Sequence, residues 1–239
     1  MVCFHHAGAS AAVFRNWADV HHSCEIAAVQ LPGRGERFRE SPVHSWPEIV
    51  DGVVGALMSM PYQPTVLFGC SLGALLAYEV ACELQLRVHS WTLELIVAAS
   101  RCPDAARVED PVASGPERKL LARLRSYGGM AEEILQNAEL MALLMPTLRA
   151  DFALSENYHF DPQRRPLECP ITAVGGRSDK WVSEEHIKRW AALTNAHFSW
   201  SMIEGGHFLL QESHEAVIAI ARSVIAKLAG RTAESAHSM

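Results

Sequence analysis

The chain lacks the features that mark several large protein classes. Its six cysteines, at positions 3, 24, 70, 82, 102 and 169, form no Cys-x-x-Cys pair, and no basic region followed by a long apolar stretch and a cleavage site opens the sequence. A disulfide scaffold and a secretory leader are therefore not expected, and the thiols read as free in a reducing, cytoplasmic compartment. Long hydrophobic runs are also absent. The longest, Leu93 to Ser100 and Met141 to Met145, fall far short of the roughly 20 residues that span a bilayer, so no membrane partner is expected. Positive charge is in deficit, with 21 Lys and Arg against 27 Asp and Glu for a net charge of −6, which argues against a nucleic-acid partner. What remains is a 239-residue chain that is 49% hydrophobic, enough to bury one sizeable core.

Short apolar runs alternate with segments of helical periodicity. Strands are expected at Val2–His5, Ile26–Leu31, Pro64–Gly69, Leu93–Ala99, Ile171–Gly175 and Phe198–Ile203. Helices are expected at Ala12–His21, Pro47–Ser59, Leu72–Leu86, Ser183–Thr194 and Gln211–Leu228. That rhythm predicts a single α/β domain over residues 1–239, a mostly parallel central sheet flanked by helices. It breaks over residues 101–169, where no strand pattern appears and a helical lid insertion is expected. In that stretch Met141, Leu144, Met145, Leu148 and Phe152 recur at three- and four-residue steps, with Pro146 expected to separate two helices. These side chains either pack the insertion onto the domain or line a pocket for a flexible apolar group. Residues 231–239 are polar, without periodicity, and expected to be frayed.

The strongest local signal is Gly69-Cys70-Ser71-Leu72-Gly73, placed where an apolar strand meets a helix. A G-x-S-x-G at such a junction is the context of a nucleophile elbow, with Ser71 raised above the sheet end at a helix amino terminus. A serine hydroxyl needs a base and the base needs an orienting acid, in chain order Ser, acid, His, each in a loop after a later strand. Asp179 follows the strand ending at Gly175, and His207 follows the strand ending at Ile203. Asp151 and Asp161 compete for the acid's role but lie in the helical insertion. His5 and His6 sit together without a third ligand at suitable spacing, so no metal site is expected. The Leu72 N–H and a second N–H from the loop His6-Ala7-Gly8-Ala9-Ser10 are placed to stabilise an oxyanion.

Taken together, several segments resemble the stand-alone type II thioesterases of polyketide synthase and nonribosomal peptide synthetase systems, within the α/β-hydrolase superfamily. They are Cys3 to Ser10 with Phe14-Arg15-Asn16-Trp17, Leu31-Pro32-Gly33-Arg34-Gly35-Glu36-Arg37, the elbow, Leu140 to Tyr158 around Leu-Arg-Ala-Asp-Phe, and Gly205-Gly206-His207-Phe208. The resemblance implies an α/β-hydrolase fold, a triad of Ser71, Asp179 and His207, and an oxyanion pair of Ala7 and Leu72. It implies hydrolysis of aberrant or stalled acyl groups from the phosphopantetheine arm of acyl or peptidyl carrier proteins, without metal or organic cofactor, by a monomer. Arg34, Arg37 and Arg39 are then candidates for docking an acidic carrier. Two departures stand out. Cys70 replaces the usual His before the nucleophile, and the segment that relatives carry before the first strand is missing, so that either an edge strand is lacking or the protein starts upstream of Met1. A small-ester or acyl-CoA hydrolase, and a catalytically weak docking module, stay open as alternatives.

Overall fold

The computed structural model describes residues 1–239 apart from 18–19, 89–90, 106–108 and 238–239, and the side chains of 232–237. Six parallel strands, β1 (Val2–Phe4), β2 (Ala27–Ala28), β3 (Thr65–Cys70), β4 (Leu93–Ala98), β5 (Ile171–Gly176) and β6 (Phe198–Ile203), form one sheet in the order β2-β1-β3-β4-β5-β6. The period-two alternation of side chains splits each central strand between two cores. Val2, Phe4, Leu67, Leu95, Val97, Ile171 and Ala173 face α1 (Trp46–Ser59), α2 (Leu72–Arg87) and the Ile187–Leu193 segment. Cys3, Val66, Phe68, Cys70, Ile96, Ala98 and Val174 face Phe14 and Trp17 on one edge and the last helix on the other. Burial on both faces is why these strands read as unbroken apolar runs.

Four expected elements differ in form, one of them the helix expected over Gln211–Leu228, which is broken at Ser213 into Leu209–Glu212 and His214–His237. The segment from Ala12 is a 3-10 helix over Ala11–Trp17, and positions 18–19 of the expected helix lie outside the described residues. β2 has two paired residues in place of six, because it pairs only with the short β1 and its other side is the sheet edge. The expected helix Ser183–Thr194 splits into a short helix Glu184–Lys188 and a 3-10 turn Arg189–Leu193.

Between β4 and β5 the chain forms α3 (Glu117–Tyr127), α4 (Glu132–Gln136) and α5 (Ala138–Glu156). Pro146 does not separate two helices: it lies inside the 19-residue α5. A mid-helix proline costs about 3 kcal/mol. Here the Asn137 side chain caps the helix by accepting from the Leu140 N–H, and Met141, Met145, Leu148 and Phe152 are buried along one stripe. Burial of such side chains contributes about 1.5–3 kcal/mol each, which outweighs the proline. α5 is also joined to the sheet domain. Thr147 donates to the Gly33 carbonyl at 2.7 Å, and the Trp46 indole donates to the Leu154 carbonyl at 3.0 Å.

After the helices α6 (Glu184–Lys188) and α7 (Leu209–Glu212), the last helix, α8, runs from His214 to His237. The expected frayed tail is thus helical for seven residues beyond Gly230. No proline interrupts Arg231 to His237, and extending an existing helix adds one hydrogen bond per residue fixed. No helix among the described residues is long and apolar enough to cross a membrane.

Candidate active site

Ser71 joins β3 to α2 with φ 54° and ψ −117°, a strained conformation for a residue with a side chain. Its N–H donates to Ala98 O at 2.9 Å and its carbonyl accepts from Ala74 N at 2.9 Å, so the strain is held from both sides. The flanking glycines are required by contact. A Cβ on Gly69 would lie 2.0 Å from Gly73 O, and one on Gly73 would lie 2.2 Å from Phe4 O. β3, α2 and β1 therefore touch through backbone at the elbow.

The structure brings together the three residues expected to act as a unit. Ser71 Oγ is 2.9 Å from His207 Nε2, and His207 Nδ1 is 2.8 Å from Asp179 Oδ2. The Asp179 side chain is fully buried. Its Oδ1 accepts the N–H groups of Trp181 at 2.8 Å and Val182 at 3.2 Å, so the loop's own amides fix the carboxylate. The loops after β5 and β6 are tied by Ser178 N–H donating to Gly205 O at 2.9 Å. With Oδ2 accepting, Nδ1 carries the hydrogen of a neutral imidazole, and Nε2 faces the serine as an acceptor.

Ala7 and Leu72 line a cavity of about 50 Å³ together with Ser71 and His207. Leu72 is the first residue of α2, where an N–H has no acceptor within the helix. This small cavity lies between two others. A polar one of about 200 Å³ shares Ser71, Leu72 and His207 and is lined by Arg101, Glu109, Glu156 and Tyr158. A larger, mainly apolar one of about 400 Å³ lies under the lid and shares His6, Ala7, Leu124 and Phe208. The Phe208 ring stands against His6, with ring centres 4.9 Å apart, and against the Gly129 backbone.

The expected pocket residues divide. Leu144 and Leu148 line the apolar cavity and Phe152 the small one, whereas Met141 and Met145 line neither and are packed in the lid's own core. On a helix, neighbouring positions are turned by about 100°, so Leu140 and Leu144 face the cavity that Met141 and Met145 face away from. The expected docking residues divide as well. Arg34 is not a surface group: it is 6% exposed and held in a bidentate ion pair with Asp151, at 2.6 and 2.8 Å. Arg37 is exposed and paired with Glu40 at 2.8 Å, and Arg39 is exposed. Asp151, the competing candidate acid, is fully buried beside the His6–Ser10 loop, where it binds Gly8 and Arg34 and not His207. Sequence reasoning missed Tyr127, whose ring centre lies 4.7 Å from that of His207. Its signal was slight: an aromatic side chain just before the Gly128 helix cap.

Cys70 is fully buried among Cys3, Phe14, Trp17 and Phe68, and burial pushes its thiol up to about 12. It stays protonated and away from the Ser71 side of the strand. His5 and His6 are 2% and 8% exposed, and each Nδ1–H donates to the next residue's carbonyl, at 2.9 and 3.0 Å for His6 O and Ala7 O. No cluster suited to a metal ion occurs among the described residues.

Burial lowers both histidines to about 4, from an ordinary 6.5. They are neutral when folded, and the unfolded chain takes up their protons first as pH falls. Their contribution is whole above about 6.5 and is lost on acidification towards 4, at about 3 kcal/mol per imidazole. Urea unfolding at pH 7.0, 5.5 and 4.5 is expected to show this loss, and His5→Gln should remove about half of it. An unchanged pH dependence in the variant would mean that His5 is not held neutral.

The thioesterase-domain family model matches residues 1–228. The chain belongs to the thioesterase family. Among relatives of this thioesterase is the gramicidin S biosynthesis protein GrsT of Aneurinibacillus migulanus, 33% identical over 214 residues, covering 89% of this chain and 83% of that protein. The thioesterase PikA5 of Streptomyces venezuelae is 34% identical over 218 residues, covering 90% and 77%. Among solved structures, the RedJ thioesterase of the prodiginine biosynthetic pathway in Streptomyces coelicolor superposes with a TM-score of 0.85 at 32% identity, covering 93% of this chain and 84% of that one. The enzyme is a hydrolase with the α/β-hydrolase fold, and its structural neighbours include type II thioesterases of nonribosomal peptide and polyketide pathways.

Proposed function

We propose that this thioesterase removes aberrant or stalled acyl groups from the phosphopantetheine arm of acyl or peptidyl carrier proteins. The observation that carries the reading is the unbroken Ser71–His207–Asp179 hydrogen-bond chain at the junction of a polar and an apolar cavity. The polar cavity suits the amide-rich arm, and the apolar one, lined by Leu140, Leu144 and Leu148, suits the acyl chain.

In the first half-reaction Ser71 Oγ attacks the thioester carbonyl as His207 Nε2 takes its proton, and the N–H groups of Ala7 and Leu72 receive the oxyanion. Collapse of the tetrahedral intermediate breaks the C–S bond, and the sulfur takes the proton from His207 and leaves as the thiol, which returns His207 to its neutral form. Water then gives a proton to His207 and adds to the acyl-serine, and release of the free acid returns that proton to Ser71 Oγ. Asp179 holds the imidazole tautomer and stabilises the imidazolium. The scheme uses no metal or organic cofactor. Six free thiols, five of them buried, suit a cytoplasmic enzyme. Arg39 and, in exchange for its Glu40 partner, Arg37 flank Phe38 of the apolar cavity's lining and are basic groups that an acidic carrier would meet.

The test is one acyl group presented on a carrier protein, on coenzyme A and as a simple oxygen ester. A kcat/KM at least about tenfold higher on the carrier is expected, since only the carrier adds protein contacts to the shared arm. Equal rates on carrier and coenzyme A would replace the reading with an acyl-CoA hydrolase, and preference for the oxygen ester with an esterase.

A further inference from the structure

The peptide between Ala7 and Gly8 is gripped at both ends. Its carbonyl accepts the His6 Nδ1–H at 3.0 Å, and its N–H donates to Asp151 Oδ2 at 2.7 Å. The surrounding turn is closed by Ala9 N–H donating to His6 O at 3.2 Å, and Gly8 has φ +75°. A Cβ there would also meet Leu148 at 2.6 Å, so α5 rests on the turn as well as bonding to it. Asp151 is held in turn. Arg34 donates through Nη1 to Oδ2 at 2.6 Å and through Nη2 to Oδ1 at 2.8 Å, while its Nε and a second Nη1 hydrogen reach Pro32 O and Ala9 O, both at 3.3 Å.

Stability is a weak reason for such a pair. Buried ion pairs are often replaced by apolar residues of similar volume with no loss, since the desolvation of both charges offsets their attraction. An apolar residue at position 151, however, could not accept the Gly8 N–H. The Ala7 N–H belongs to the preceding His6–Ala7 peptide, which meets the gripped peptide at the Ala7 Cα, and Ala7 lines the small cavity beside Ser71; releasing the Gly8 N–H frees the Ala7 torsions that set the direction of its N–H.

We propose that Asp151, oriented by Arg34, is a positioning residue for the oxyanion hole, fixing the Ala7–Gly8 peptide so that the Ala7 N–H meets the developing oxyanion. The lid helix is thereby part of the catalytic frame and not only a cover. This rests on the reading of Ser71 as nucleophile and of Ala7 and Leu72 as donors.

The test compares two double variants in the full-length enzyme, with an acyl-pantetheine thioester and a fluorophosphonate whose phosphoryl oxygen occupies the oxyanion position. Arg34→Met with Asp151→Leu removes both charges and the acceptor; Arg34→Met with Asp151→Asn removes the charges but keeps an oxygen for Gly8. The first is expected to lose about 10- to 100-fold in kcat and in phosphonylation rate, with KM within about threefold, because misplacing one donor costs up to what deleting it costs. The second should return to within about fivefold of wild type. Equal kcat in the two variants, whether high or low, overturns the proposal, since the acceptor would then not matter. If the leucine variant does not fold, Arg34→Met with Asp151→Ala takes its place in the same comparison. Persistence of turnover in Ser71→Ala would instead defeat the underlying reading, whatever the Asp151 variants do.

Discussion

Ser71→Ala is expected to lower thioester turnover by about 10⁴- to 10⁶-fold while leaving the fold intact. The size follows from the unit that the three side chains form. Removing a serine nucleophile leaves only binding and the oxyanion donors, which elsewhere retain a residual 10³- to 10⁴-fold or so over water. Ser71 Oγ makes one side-chain hydrogen bond, to His207, and His207 keeps Asp179, so no buried charge is left unpaired. Alanine suffers the same positive φ as serine, and the backbone bonds to Ala98 and from Ala74 do not involve the side chain. The melting temperature should therefore move by a few degrees at most. Fluorophosphonate labelling followed by intact-mass measurement supplies the second readout: one adduct on wild type and none on the variant. Turnover that survives in Ser71→Ala would transfer the nucleophile's role elsewhere, and Cys70 could not take it, because burial keeps its thiol protonated.

Gly73→Ala is expected to be strongly damaging, although it adds a single methyl group. Two effects oppose each other. Alanine is favoured over glycine by about 1 kcal/mol in a helix interior, and Gly73 is the second residue of α2. Against this, the added Cβ would lie 2.2 Å from Phe4 O and 2.6 Å from His5 O. Both are backbone atoms of the neighbouring strand and the loop after it, which cannot turn aside as a side chain can. Relieving the clash requires α2 to lift from β1, and that opens the packing of Leu72, Ala74, Leu76 and Ala77, all buried. Overpacking of this kind costs about 1–3 kcal/mol where neighbours yield and more where they do not. A loss of at least about 3 kcal/mol in urea unfolding, or failure to accumulate folded protein, is expected. Native stability in Gly73→Ala would show that α2 and β1 do not approach so closely. The neighbouring Ala74, fully buried without such a contact, offers no comparable effect on conversion to glycine beyond the helix propensity and one lost methyl.

The elbow was legible because it is a local object: an apolar strand, two glycines at fixed offsets and a helix, all within about twenty residues. Asp179 and His207 were legible for a related reason. In a parallel sheet, the loops after successive strands gather at one end, so their placement after β5 and β6 carries spatial information without long-range contacts being known. The family likeness over most of the chain had the same basis, since its motifs are those loops.

Other features depend on pairings that no local pattern encodes. Arg34 reads as a surface cation beside Arg37 and Arg39, and becomes a buried partner of Asp151 only because α5, 117 residues later in the chain, crosses its loop. Pro146 reads as a helix break, yet packing of one apolar stripe and the contacts of Thr147 and Leu154 keep α5 continuous. Leu144 and Met145 share one apolar periodicity, but the first faces a cavity and the second the lid core.

Strand and helix periods and glycine sterics act within short windows, so the α/β architecture, the position of the elbow and the two loops that meet it follow from the order of residues alone. Which charges are buried together, which helical face meets a cavity and how the lid helix bears on the Ala7–Gly8 peptide are set by the assembled fold. Those outcomes depend on desolvation and packing between segments more than a hundred residues apart, and such energies exist only once the chain has closed on itself.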